Sequence, residues 1–95
     1  KRMGIVFVEY KVFPEKREAY LSRIRELMKN ASGVQLYEGS DQPNLFVEIW
    51  HDCDAAQYRE LKRLRREPGS AWAEIADFVP GGASRIHIWH FDRTL

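Results

Sequence analysis

Among the side chains of this sequence, Glu48 and His87 stand out as candidates for acid–base chemistry at neutral pH. Glu48 sits in Phe46-Val47-Glu48-Ile49-Trp50, among aromatic and aliphatic neighbours. A carboxylate desolvated in such a setting favours its protonated form and can act as a general acid or base. Histidine changes charge near neutrality, so a Glu–His pair in a closed cavity could pass a proton. Glu48 and His87 are therefore the candidate catalytic residues. Each also has a structural reading: a carboxylate bonded to a Trp, a Tyr or a partner-chain Arg, and a histidine at a rim or subunit contact.

A second group could bind substrate. Tyr10, Tyr58, Trp72 and Trp50 offer flat apolar surface with a polar tip, suited to a small aromatic or phenolic molecule. Trp at helical spacing equally serves as core. His51 and His90 fall near strand ends and are expected to be exposed. No His-x-x-x-His, Cys-x-x-Cys or His–carboxylate spacing appears, so no metal is expected. Cys53 stands alone, which rules out an intrachain disulfide and fits a reducing, cytoplasmic setting. Arg59, Lys62, Arg63, Arg65 and Arg66 form the sharpest charge cluster. With Glu60 and Glu67 interleaved and a formal net charge of +1, it reads as the solvated face of a helix, not a nucleic-acid surface.

The elements that must hold these groups follow from periodicity. Strands are expected over Ile5–Val12, Val34–Glu38, Leu45–His51 and Arg85–Phe91, each alternating with period two. A helix runs from Glu15 to about Ala31, with Tyr20, Ile24, Leu27, Met28 and Ala31 on its apolar stripe. Asp54, with Gln57 at the capping-box position, opens a second helix with Tyr58, Leu61 and Leu64 inward. Glu67-Pro68-Gly69 breaks it, and a further piece carries Trp72, Ile75, Ala76 and Val79. The order β-α-β-β-α-β is the ferredoxin-like split arrangement, an α+β fold with an antiparallel sheet and two layers. That order puts the first and third strands in the middle, with Glu48 and His87 separated by the first strand.

The 95 residues make one domain, 1–95. No apolar run is long enough to span a bilayer, and no signal peptide is expected behind Lys1-Arg2. Lys1 and Arg2 precede Met3 and are expected to be additions or trimming remnants.

One sheet face needs a cover. If the helices cover Val6, Val8, Leu36, Val47, Ile49, Ile86 and Ile88, the other face presents Phe7, Glu9, Tyr37, Phe46, Glu48, Trp50, His87, Trp89 and Phe91. Rings of this size would leave on the order of several hundred Å² of apolar surface in water, more than monomers usually expose. A second copy is the economical cover, which makes Phe7, Phe46, Trp50, Trp89 and Phe91 the expected dimer interface.

The stretch Phe46-Val47-Glu48-Ile49-Trp50, followed by Asp52, Ala55-Ala56 and Tyr58, resembles the Phe-x-x-Glu-x-Trp strand and following helix of the dimeric α/β-barrel proteins of the antibiotic-biosynthesis-monooxygenase type. Ser32-Gly33-Val34 fits the same pattern. The resemblance implies two ferredoxin-like protomers closing their sheets into a barrel. It also implies a cofactor-independent, monooxygenase-like oxidoreductase acting on small aromatic or hydrophobic molecules. A non-catalytic homodimeric module that binds a small ligand or simply assembles is the alternative. The second-helix His that many members carry is replaced by Arg59, and the Asn used near the start of strand one by the haem-degrading branch is absent. Both departures count against haem chemistry.

Overall fold

The computed structural model describes residues 3–95; Lys1 and Arg2, and the expectation attached to them, lie outside the described residues. The strands are β1 (Gly4–Lys11), β2 (Val34–Glu38), β3 (Leu45–Cys53) and β4 (His87–Asp92). The α-helices are α1 (Arg17–Lys29) and α2 (Ala55–Leu64), and short 3₁₀ segments cover Pro14–Lys16, Trp72–Phe78 and Gly82–Arg85. The sheet order is β2-β3-β1-β4, antiparallel at every pairing. This is the expected ferredoxin-like α+β fold. The third helical piece is wound as 3₁₀, and β4 starts two residues later than the periodicity suggested, because Gly82–Arg85 makes a tight turn first.

Local chemistry explains the ends. Asp54 caps α2 with the reciprocal pair expected: Gln57 N donates to Asp54 Oδ1 at 2.8 Å and Asp54 N to Gln57 Oε1 at 2.8 Å. In α1, Tyr20, Ile24 and Leu27 recur at helical spacing and are buried against the sheet.

The face assignment of β3 is corrected by the pairing. Val6 stands opposite Trp50, Val8 opposite Glu48 and Tyr10 opposite Phe46, and paired residues share a face. Phe46, Glu48 and Trp50 therefore lie with Val6, Val8 and Tyr10 beneath the helices, all buried. Leu45, Val47 and Ile49 take the opposite, open face beside Phe7, Tyr37, Trp89 and Phe91. Phe46 and Trp50 cannot be sheet-to-sheet contacts. The reason lies with Glu48, which on this side meets Arg65 as well as Tyr10 and Trp50; the aliphatic side can be left to a flat surface. The other strands face as expected: Val34, Leu36, Ile86 and Ile88 pack into the helix-covered core.

One exposed network ties the start of α1 to the β2–β3 hairpin. Arg17 grips Glu38 through both terminal nitrogens, one of them at 2.8 Å, and Arg17 Nη1 donates to Asn44 Oδ1 at 3.1 Å. Asn44, at φ 70, donates its backbone N–H to Glu38 Oε2 at 2.8 Å. The Arg17 hydrogen bond, then the Asn44 N–H, lower the Glu38 carboxyl from an ordinary 4.5 to about 2. A depressed folded value means the contribution is present above the ordinary carboxylate range and is lost as pH falls toward about 2. An NMR titration should place the Glu38 midpoint near 2 in the natural protein and within a unit of 4.5 in Arg17→Gln. An unmoved midpoint would show that Arg17 does not hold it.

Candidate functional site

The helix-covered face gathers a polar cluster at its centre. Glu48 is 0% exposed and Arg65 4%. Arg65 binds Glu48 with both terminal nitrogens; Nη1 reaches Oε2 at 3.0 Å and Nη2 makes the closer contact with Oε1. Tyr10 donates its hydroxyl to Glu48 Oε2 at 2.5 Å, and Trp50 Nε1 donates to Oε1 at 2.9 Å. Tyr10 has one hydroxyl proton and gives it to Glu48, so the 2.6 Å bond between Tyr10 and Tyr20 is donated by Tyr20. The carboxylate thus accepts four donors from β1, β3 and the segment after α2.

Electrostatics fixes the protonation of the phenols. Burial first, then the Glu48 charge, pushes Tyr10 well above the ordinary phenol range. Burial also raises Tyr20. Both remain phenols at neutral pH and act as donors. Arg65 is held charged by Glu48 against the desolvation that would lower it. Its guanidinium carbon lies 4.7 Å from the centre of the Trp72 ring, and Trp72 meets Trp50 edge-on with centroids 5.2 Å apart. Tyr20 packs on Phe46 at 4.7 Å and on Phe78 at 5.9 Å.

Arg65 is the member that the sequence did not place in a site. Arg65 was read as part of a solvated basic face, and this is corrected: Arg59, Lys62, Arg63 and Arg66 are exposed, but Arg65 points inward. The signal was available. Tyr58, Leu61 and Arg65 follow at i, i+3 and i+7, one helical stripe, and a buried Glu48 requires a cation.

Glu48 and His87 are not brought together. Glu48 is inside the helix-covered layer, and His87 is exposed on the open face, opposite Glu9 in the β1–β4 ladder. His87 stacks on Trp89, centroids 5.8 Å apart at 12°. Among the expected substrate-binding residues, Tyr10 and Trp50 are buried in the core and Tyr58 and Trp72 are half-buried. Tyr58 stacks on His90 at 5.3 Å, and His90 Nε2 meets the Cys53 carbonyl at 3.1 Å. His90 is half-buried, not exposed as expected; His51 is exposed and bonds Gln35 Oε1 at 2.9 Å. Burial raises the Cys53 thiol, which leaves it a poor nucleophile. Among the described residues no three metal-ligating side chains converge, and no helix is long and apolar enough to cross a membrane.

No protein-family model matches the chain. No curated protein sequence matches it either. Solved structures do. A conserved protein from Methanosarcina mazei Go1 superposes with a TM-score of 0.71 at 14% identity, covering 98% of this chain and 94% of that one. A candidate antibiotic biosynthesis monooxygenase from Bordetella bronchiseptica gives 0.63 at 18% identity, with 100% of each chain covered. Another, from Bacteroides thetaiotaomicron, gives 0.57 at 17% identity over 99% of this chain and 90% of that one. At such identities the likeness is one of fold, and it runs the length of the chain. The protein has the ferredoxin-like α+β fold, shared over nearly its whole length with these solved structures.

Proposed function

We propose that the chain works as a homodimer of the antibiotic-biosynthesis-monooxygenase kind and oxidises a small aromatic or hydrophobic molecule without a bound cofactor. The observation that carries the reading is the full-length fold likeness to two candidate monooxygenases. The aromatic helix–sheet layer supports it further: Tyr58 and Trp72 lie at its half-buried margin, with Tyr10, Trp50 and Glu48 behind them. The reaction of that kind is self-sufficient in electrons. A phenol with a free para C–H supplies four electrons to O₂: that C–H becomes a C=O carrying one oxygen atom, the phenol oxygen becomes the other quinone carbonyl, and the second oxygen atom leaves as water.

The open sheet face supports the dimer. Trp89 is 42% exposed, Phe91 51% and Tyr37 54%, beside the half-buried Phe7, Leu45, Val47 and Ile49. Phe7 contacts Trp89 at 5.7 Å and Phe91 at 6.2 Å, so the rings form one patch. Contiguous apolar surface of this kind marks a contact site.

A specific observation favours a second reading, a non-catalytic homodimer that binds a small ligand or simply assembles. Glu48 is committed to Arg65 and is separated by the sheet from His87.

Oxygen uptake with a panel of phenols bearing a free para position, run beside a thermal-shift screen of the same panel, separates the two. The first reading predicts uptake linked to quinone formation, with binding weakened about tenfold in Tyr58→Ala and Trp72→Ala. Binding without uptake favours the second reading. Hits unaffected by either substitution would overturn the placement of the ligand at this margin.

A further inference from the structure

The open face ends in a second feature, which shares Leu45 with the edge of the dimer patch but lies apart from the Tyr58 and Trp72 margin. At the end of the sheet, where β1 leaves toward Pro14 and β4 begins, lies a cleft of about 550 Å³. Its walls include Lys11, Arg85, His87, Glu9, Leu45 and Val79. The volume lies within the range of small-ligand pockets, roughly 300–1,000 Å³. The β1 pairings put Lys11 beside Leu45 and Glu9 beside His87.

Three facts define what the cleft can hold. Lys11 and Arg85 are exposed and have no ion-pair partner among the described residues. They outnumber the single carboxylate of the lining, Glu9. The Arg85 stem also passes closely over Gly81: a Cβ at Gly81 would stand 2.6 Å from Arg85 Cγ, and Gly81 has φ 85. Only glycine allows that close passage at that backbone angle. Leu45 and Val79 supply the apolar wall.

From this we infer that the cleft binds a small organic anion with an apolar body, such as an aromatic carboxylate. Arg85 grips the carboxylate with its planar fork, Lys11 adds a second cation, and the body lies against Leu45 and Val79. His87 and the Trp89 ring stacked on it close the side toward the centre of the face. The site is distinct from the helix–sheet margin of Tyr58 and Trp72, and it stands or falls separately from the oxidation proposed there.

The test is a calorimetric titration of the unmodified protein with benzoate, phenyl phosphate and benzamide, in low and high salt. The Trp emission supplies a second readout. Saturable benzoate binding is expected, at least tenfold tighter than benzamide and weakened by salt. Arg85→Gln and Lys11→Gln should each weaken benzoate about tenfold or more, the usual weight of a hydrogen bond between charged groups. Gly81→Ala should weaken it by displacing the Arg85 stem. Circular dichroism and light scattering on each variant should match the unmodified protein, so that lost binding is not lost structure. Binding of phenyl phosphate with none of benzoate would overturn the carboxylate assignment. No saturable binding of either anion, or benzoate binding unchanged in both Arg85→Gln and Lys11→Gln, would overturn the site.

Discussion

Arg65→Met should destabilise the protein by about 3–5 kcal/mol, because it leaves the Glu48 charge buried without a counter-charge. For a chain of this size that amounts to a fall in Tm of roughly 15–30 °C. The prediction follows from the burial of both groups and from the two-nitrogen grip of Arg65 on the carboxylate. It is also specific. Arg65→Lys should fail to restore stability, since a point charge cannot replace a planar fork that also lies over Trp72. Glu48→Gln combined with Arg65→Met should be more stable than Arg65→Met alone. The double change removes the stranded charge and keeps an amide oxygen as acceptor for Tyr10 or Trp50. Chemical denaturation of the three variants measures this. A cost below 1 kcal/mol for Arg65→Met, or a double variant less stable than the single, would mean that Glu48 does not depend on Arg65.

The second large effect separates the two faces of the sheet with one kind of substitution. Trp50→Glu should unfold the chain. It deletes a buried ring, costing about 3–5 kcal/mol by cavity formation alone, and sets a second carboxylate beside Glu48 with one guanidinium between them. Those losses together reach the whole stability of an ordinary small domain, about 5–15 kcal/mol. Trp89→Glu should leave the fold intact, because Trp89 is 42% exposed on the open face. Its effect should appear in assembly: a charge in the middle of a sheet-to-sheet contact costs several kcal/mol when desolvated, enough to weaken a dimer by two orders of magnitude or more. Far-ultraviolet circular dichroism and light scattering read the two outcomes. An unfolded Trp89→Glu or a folded Trp50→Glu would reverse the face assignment.

Much of this was legible in the sequence. Period-two alternation located all four strands, and the Asp54–Gln57 capping box fixed the start of α2. The β-α-β-β-α-β order predicted β1 and β3 at the centre of the sheet. What the alternation could not give was the direction of β3, because both of its faces are apolar. Leu45, Val47 and Ile49 are as buriable as Phe46 and Trp50, and the carboxylate of Glu48 argued for the wrong side. The deciding partner, Arg65, lies 17 residues away behind a helix, in a run of basic residues whose other members face water. Charge patterning averages over such a run; only the helical stripe of Tyr58, Leu61 and Arg65 singles out the inward one. The separation of Glu48 from His87 follows from the same direction of β3.

The open face is expected to close on a second copy. The mass of the unmodified protein in solution at micromolar concentration, by multi-angle light scattering, tests this most directly. Twice the 11.2 kDa of the chain is the predicted result. A well-folded species at 11.2 kDa, with no heavier form as concentration rises into the hundreds of micromolar, would contradict it.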